Sequence, residues 1–128
     1  MQHLNRLLCV CALLAVVASA VDKDGAVHTT SAFQGNAANG GTAAHFYQNG
    51  KSVLRVSDDF KVPNTPAPTW RVIDSKGVVY TLDAFKIKGG EKRQVVVPAF
   101  VPNIAKVQVY CAYAEVVLGE AGFSSPVN

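Results

Sequence analysis

The dipeptide Asn49-Gly50 stands between two alternating runs, residues 42–48 (TAAHFYQ) and 51–57 (KSVLRVS), and it constrains the fold more than any other feature. A two-residue hairpin loop needs positive φ at both central positions, and Asn-Gly reaches them at least cost. The turn also sets a register. Pairing outward places Gln48 opposite Lys51, Tyr47 opposite Ser52, Phe46 opposite Val53 and His45 opposite Leu54. One face then carries Ala43, His45, Tyr47, Leu54 and Val56, and the other Ala44, Phe46, Val53 and Arg55. The first face is the more aliphatic, so His45 is expected to point inward.

The rest of the chain reads in the same way. Residues 70–74 and 78–82 form a second hairpin about Asp74-Ser75-Lys76-Gly77, where glycine takes the left-handed position of a longer loop. The short run 85–88 turns at Gly89-Gly90-Glu91 into residues 93–97, which Pro98 ends. Residues 58–68 (DDFKVPNTPAP) hold Pro63, Pro66 and Pro68, each incompatible with a central strand, and read as a crossing between sheets. Residues 29–34 offer a first strand around Phe33. Past residue 20 no segment repeats apolar residues at helical spacing. Seven or eight short strands predict an all-β fold, an antiparallel β-sandwich, with a small β-barrel as the alternative.

Residues 1–20 have the layout of a secretory signal: a polar start with Arg6, an apolar run over 7–18, and Ala18-Ser19-Ala20 as a cleavage site. The run is too short to span a bilayer, for which about 20 apolar residues are needed. The expected product is secreted or periplasmic and is not an integral membrane protein. Cleavage leaves 108 of the 128 residues, enough for one domain: a loose lead-in at 21–40 carrying the first strand, then a sandwich over 41–128. Of the 12 Lys+Arg only Arg6, and of the 9 Asp+Glu none, lies before Val21, so the mature charge is +2. Lys86, Lys88, Lys92 and Arg93 form the one basic cluster. It reads as a solvated hairpin and not as the basic face that nucleic-acid binding requires.

Cleavage also lowers the cysteine count from 3 to 1, leaving Cys111 and no internal disulfide. In KVQVYCAYAEVVLG, residues 106–119, alternation puts Val107, Val109, Cys111 and Tyr113 on one face and Lys106, Gln108 and Tyr110 on the other. Cys111 thus begins as a core residue. A lone thiol in an oxidising compartment is buried and inert, paired with another chain, or engaged in redox or ligand chemistry. Partial burial near the strand end is expected. Glu115, which interrupts an apolar run, is expected at a bend.

The order of landmarks over residues 33–123 resembles the DM13 domain, also called the electron-transfer DM13 domain. The matching residues are Gly41-Thr42-Ala43, Val53-Leu54-Arg55-Val56 with Asp59-Phe60, the proline-led run 68–73, Leu82 through Lys88-Gly89-Gly90 to Val97-Pro98, and Val109-Tyr110-Cys111 followed by Val116-Val117-Leu118-Gly119. The resemblance implies an exported β-sandwich related to haem-binding DOMON domains, with Cys111 as a redox thiol or a ligand to a prosthetic group. A protein redox partner or another extracellular protein is the implied partner. Three positions depart from the family pattern. Pro68-Thr69 stands where Pro-Asp is frequent, Ala114 beside Tyr113 where an aromatic is usual, and Ala38-Asn39 where a histidine often precedes the first hairpin.

A cysteine nucleophile needs a base, and past residue 20 only His28 and His45 are imidazoles. His28 falls in the lead-in, so His45 is the candidate neighbour of Cys111, with Tyr113 beside it. No recognised catalytic motif joins them, and no catalytic residue is assigned. Structural zinc wants four Cys or His ligands and is not expected. Noncovalent haem needs only one or two axial ligands, so Cys111 or His45 could serve, although no C-x-x-C-H sequence is present. Tyr47, Trp70, Tyr80, Tyr110 and Tyr113 are expected in core and rim packing. Three classes remain, in this order: a redox or cofactor-binding module centred on Cys111, a non-catalytic extracellular interaction module with Cys111 as packing, and, a distant third, a hydrolytic enzyme.

Overall fold

The computed structural model describes residues 25–128; the expected signal, its cleavage site, Cys9 and Cys11 lie outside the described residues. Ten strands follow in order: β1 (His28–Thr29), β2 (Ala43–Gln48), β3 (Lys51–Val56), β4 (Pro68–Ile73), β5 (Val79–Ala84), β6 (Lys86–Ile87), β7 (Gly90–Glu91), β8 (Gln94–Val96), β9 (Ile104–Cys111) and β10 (Val116–Val127). One antiparallel sheet has the order β1-β2-β3-β8 and a second the order β10-β9-β4-β5, while β6 and β7 form a small ribbon. The fold is an all-β sandwich with no closed barrel.

The first hairpin has the register expected from its turn, with Gln48 opposite Lys51 and His45 opposite Leu54. Asn49 and Gly50 take φ of 53° and 74°, the left-handed pair that matches the twist of the flanking strands. Its aliphatic face is the buried one: Ala43, His45, Leu54 and Val56 are buried, and Val95 joins them from β8, where it pairs with Leu54. Opposite them the second sheet contributes Trp70, Val72, Val107, Val109, Cys111 and Ala121. The proline-punctuated segment carries the chain from β3 in one sheet to β4 in the other.

An aromatic column fills the space beside the crossing. Phe33 and Phe60 lie 4.9 Å apart, Phe60 stacks on Phe85 at 5.7 Å, and Phe85 stacks on Trp70 at 4.4 Å. The Trp70 indole also donates to the Lys92 carbonyl at 2.8 Å, so the one polar atom of the ring is satisfied inside the core.

The lead-in is not loose from Val27 onward. The Thr30 and Ser31 amides donate to the Ala43 and Gly122 carbonyls at 2.9 and 2.8 Å, tying both sheets together, and Gln34 bridges Glu120. Phe33 is 1% exposed and Ala38 is equally buried. Gly119 makes this possible, because a Cβ there would lie 2.5 Å from the Ala38 carbonyl oxygen. A polar stretch can be held this tightly because backbone bonds and one phenylalanine suffice, and neither leaves a periodic signal.

The basic cluster is less solvated than its composition implies. Arg93 donates to the Ser57 and Phe60 carbonyls at 2.7 and 2.8 Å and clamps the start of the crossing. Lys86 donates to the Thr65 carbonyl at 2.9 Å, and Lys92 pairs with Asp83 at 2.7 Å. Lys86 and Lys88 are both exposed, as expected of a solvated hairpin, while Lys92 and Arg93 are half-buried.

Candidate functional site

Cys111 is the last residue of β9, paired with Pro68 on one side and Val116 on the other. It is 2% exposed, which corrects the expectation of partial burial. The reason is the turn at residues 112–115, which folds back across the strand end: the Glu115 amide donates to the Cys111 carbonyl at 2.7 Å, and Glu115 takes φ of 58°. Glu115 therefore occupies the bend read from the sequence. All four turn residues are exposed, so the lid over the sulfur is one peptide layer thick.

That layer presents donors to the sulfur. The Ala114 amide points at Sγ from 3.4 Å. This bond is the largest influence on the thiol; burial opposes it, but the amides of Tyr113 and Ala67 and the Thr65 hydroxyl act with it, so the thiol pKa is held below its ordinary value. Thr65 Oγ1 is buried and makes no hydrogen bond, so its influence on the thiol is the smallest of these. Such an array favours the thiolate, the nucleophilic and ligating form of cysteine.

Thr65 and Ala67 were not singled out by the sequence reading. They lie more than forty positions from Cys111, in a segment whose prolines announced only the absence of a strand. The Pro68–Cys111 pairing brings them together, and no local pattern encodes that pairing.

Of the two expected neighbours, Tyr113 stands beside Cys111 but in a different way: its amide serves the sulfur, while its ring is 79% exposed. Alternation placed the ring inward, yet the strand ends at Cys111 and the turn reverses it. His45 is not at the site. Its ring lies 6.4 Å from Phe123, beside Gly122, which pairs with Lys106. Five residues of β9 then separate that level from Cys111, about 17 Å along a strand. No Cys-His pair forms.

His45 belongs to the other end of the sandwich. It is 1% exposed, its Nε2 lies 2.8 Å from Ser52 Oγ, and its ring meets Tyr47 edge-on at 5.5 Å. Burial first, and then the nearby His28, hold its pKa below the usual histidine value. His28, on β1, faces it directly across the sheet.

The remaining aromatics fill packing roles. Tyr80 donates to Asp74 at 2.9 Å, and Arg71 lies 4.1 Å over the Tyr110 ring. Asp74 also accepts from the amides of Lys76 and Val78, both at 2.9 Å, and so organises the second hairpin turn.

A haem does not fit around Cys111. Three surface cavities of roughly 320 to 490 Å³ are evident, and Cys111 lines none of them. Its sulfur is surrounded by amides, a threonine hydroxyl and packed side chains. Among the described residues no three of His, Cys, Asp or Glu cluster as metal ligands. No helix among the described residues is long and apolar enough to cross a membrane. Comparison of the chain with protein-family models, with curated proteins and with solved structures gives no match.

Proposed function

We propose that this chain is an exported redox module of the DM13 type whose reactive group is the Cys111 thiolate. One observation carries the reading: a buried sulfur that ordinary packing would hold neutral is instead met by the Ala114 amide and further donors, with its pKa lowered. The resemblance over residues 33–123 and the export layout of residues 1–20 support it.

The chemistry open to such a group is exchange with the disulfide of a partner protein. The Cys111 thiol loses its proton to solvent, and the thiolate attacks one partner sulfur. The partner's S–S bond breaks as the mixed disulfide forms, and the second partner sulfur departs as a thiolate. Access requires the 112–115 turn to lift, which breaks three hydrogen bonds, those of the Ala112, Ala114 and Glu115 amides.

The second reading is a non-catalytic extracellular interaction module, and the burial of Cys111 among Val109 and Leu118 favours it. Thiol alkylation of the native protein over a pH series separates the two. The redox reading expects labelling without denaturant, with a midpoint below that of a free cysteine. Labelling only after unfolding leaves the interaction module as the function. Cys111→Ser completes the test: a folded variant that still exchanges with a disulfide partner removes Cys111 from the chemistry.

A further inference from the structure

The end of the sandwich away from Cys111 holds two imidazoles that no part of the thiol chemistry uses. His28 and His45 are directly opposite one another on β1 and β2, so both project from the same face. Their rings are 6.2 Å apart. Together with Tyr47, Phe123 and Ser124 they line a cavity of about 490 Å³. His45 forms part of its wall with one ring nitrogen committed, Nε2 to Ser52, and the other, Nδ1, buried and without a hydrogen-bond partner. A buried polar atom left unpaired is costly and rare in folded proteins.

We propose that this cross-strand pair, His28 and His45, is a binding site for a borderline divalent transition-metal ion of the zinc and copper class. Imidazole is the ligand type that suits these ions. Ser52 supports the role: if its oxygen accepts from the His45 Nε2–H, the tautomer leaves a lone pair on Nδ1, the arrangement by which outer partners orient metal-bound histidines. No Asp or Glu side chain lines the cavity, so the two imidazoles are the side-chain ligands and water completes the shell. Two Zn–N bonds at a tetrahedral angle ask for ring centroids roughly 5 Å apart. The rings are stacked with an interplanar angle of 27°, so the exposed His28 ring must turn to aim a nitrogen at the ion as well as close by about 1 Å, a change of rotamer. An open two-histidine site differs from a structural zinc site, in which four Cys or His side chains fill the shell.

The test uses the exported chain that cleavage after Ala20 leaves, which lacks His3, Cys9 and Cys11 as competing ligands, titrated with zinc chloride. Long-range proton–nitrogen spectra of the imidazoles report each ring separately. The His28 and His45 nitrogens should shift together and saturate below about 1 mM zinc. His28→Ala, at an exposed position that leaves the core intact, should raise the midpoint at His45 by about tenfold or more. His45 resonances unmoved at that concentration, or a midpoint raised by less than that factor in His28→Ala, would overturn the proposal.

Discussion

His45 carries a pH dependence whose sign follows from its surroundings. Its folded pKa lies below the unfolded value of 6.5, so the unfolded chain takes up the proton first as pH falls. Its contribution is fully present above 6.5 and is lost as pH drops from there through the folded pKa. Urea midpoints should therefore decline on acidification below neutrality, and His45→Gln should flatten that decline. Asp74 acts in a separate, more acidic window. Burial works against its charge, but the bonds from Val78, Tyr80 and Lys76 outweigh it and lower its pKa, so that stability is lost as pH falls through a value below 3.8. At Trp70 the expected effect is larger. Trp70→Ala removes the end of the aromatic column and a buried hydrogen bond, and should cost about 3–5 kcal/mol in denaturant titrations.

At the scale of the element, the two hairpins test how far turn chemistry decides register. The alternation argument makes Gly50→Val costlier than Gly77→Val, on the ground that a longer loop adapts. Gly77 nevertheless sits at φ of 83°, as far into the left-handed region as Gly50 at 74°. Both substitutions should thus cost about 1–2 kcal/mol, the ordinary penalty for a side chain in that region, and equal denaturation losses are the expected result. The second loop is rigid because the Asp74 carboxylate holds three donors. Asp74→Ala leaves the Lys76 and Val78 amides without their partner and should lower the melting temperature more than Ser75→Ala. A smaller loss than Ser75→Ala would mean the turn is organised by its backbone alone.

At the scale of the whole molecule, cohesion among the described residues comes from the facing sheets and not from cross-links. Cys111 is the free cysteine among the described residues, so a reductant should leave the melting temperature unchanged; a drop on reduction would point to a disulfide outside them. The sandwich also separates its chemistry by end, the thiol under the β9–β10 turn and the imidazole pair beside the first hairpin. Cys111→Ser should accordingly leave the histidine resonances in place.

The amino-acid sequence alone determined what nearest-neighbour sterics and alternation can encode. The Asn49-Gly50 turn, the register it imposes, the inward face of β2 and the bend at Glu115 were all legible, because each depends on residues a few positions apart. Tertiary structure alone decided which ends of which strands meet. Cys111 and His45 share an inward-facing pattern, yet strand pairing sets them at opposite ends, and alternation says nothing about position along a strand. Thr65 and Ala67 come near the sulfur only because Pro68 pairs with Cys111. His28 meets His45 because a two-residue strand is captured by a sheet edge, through backbone bonds that any side chains permit. Long-range pairing is fixed by the burial of whole faces against one another, and that sum belongs to no single stretch of the chain.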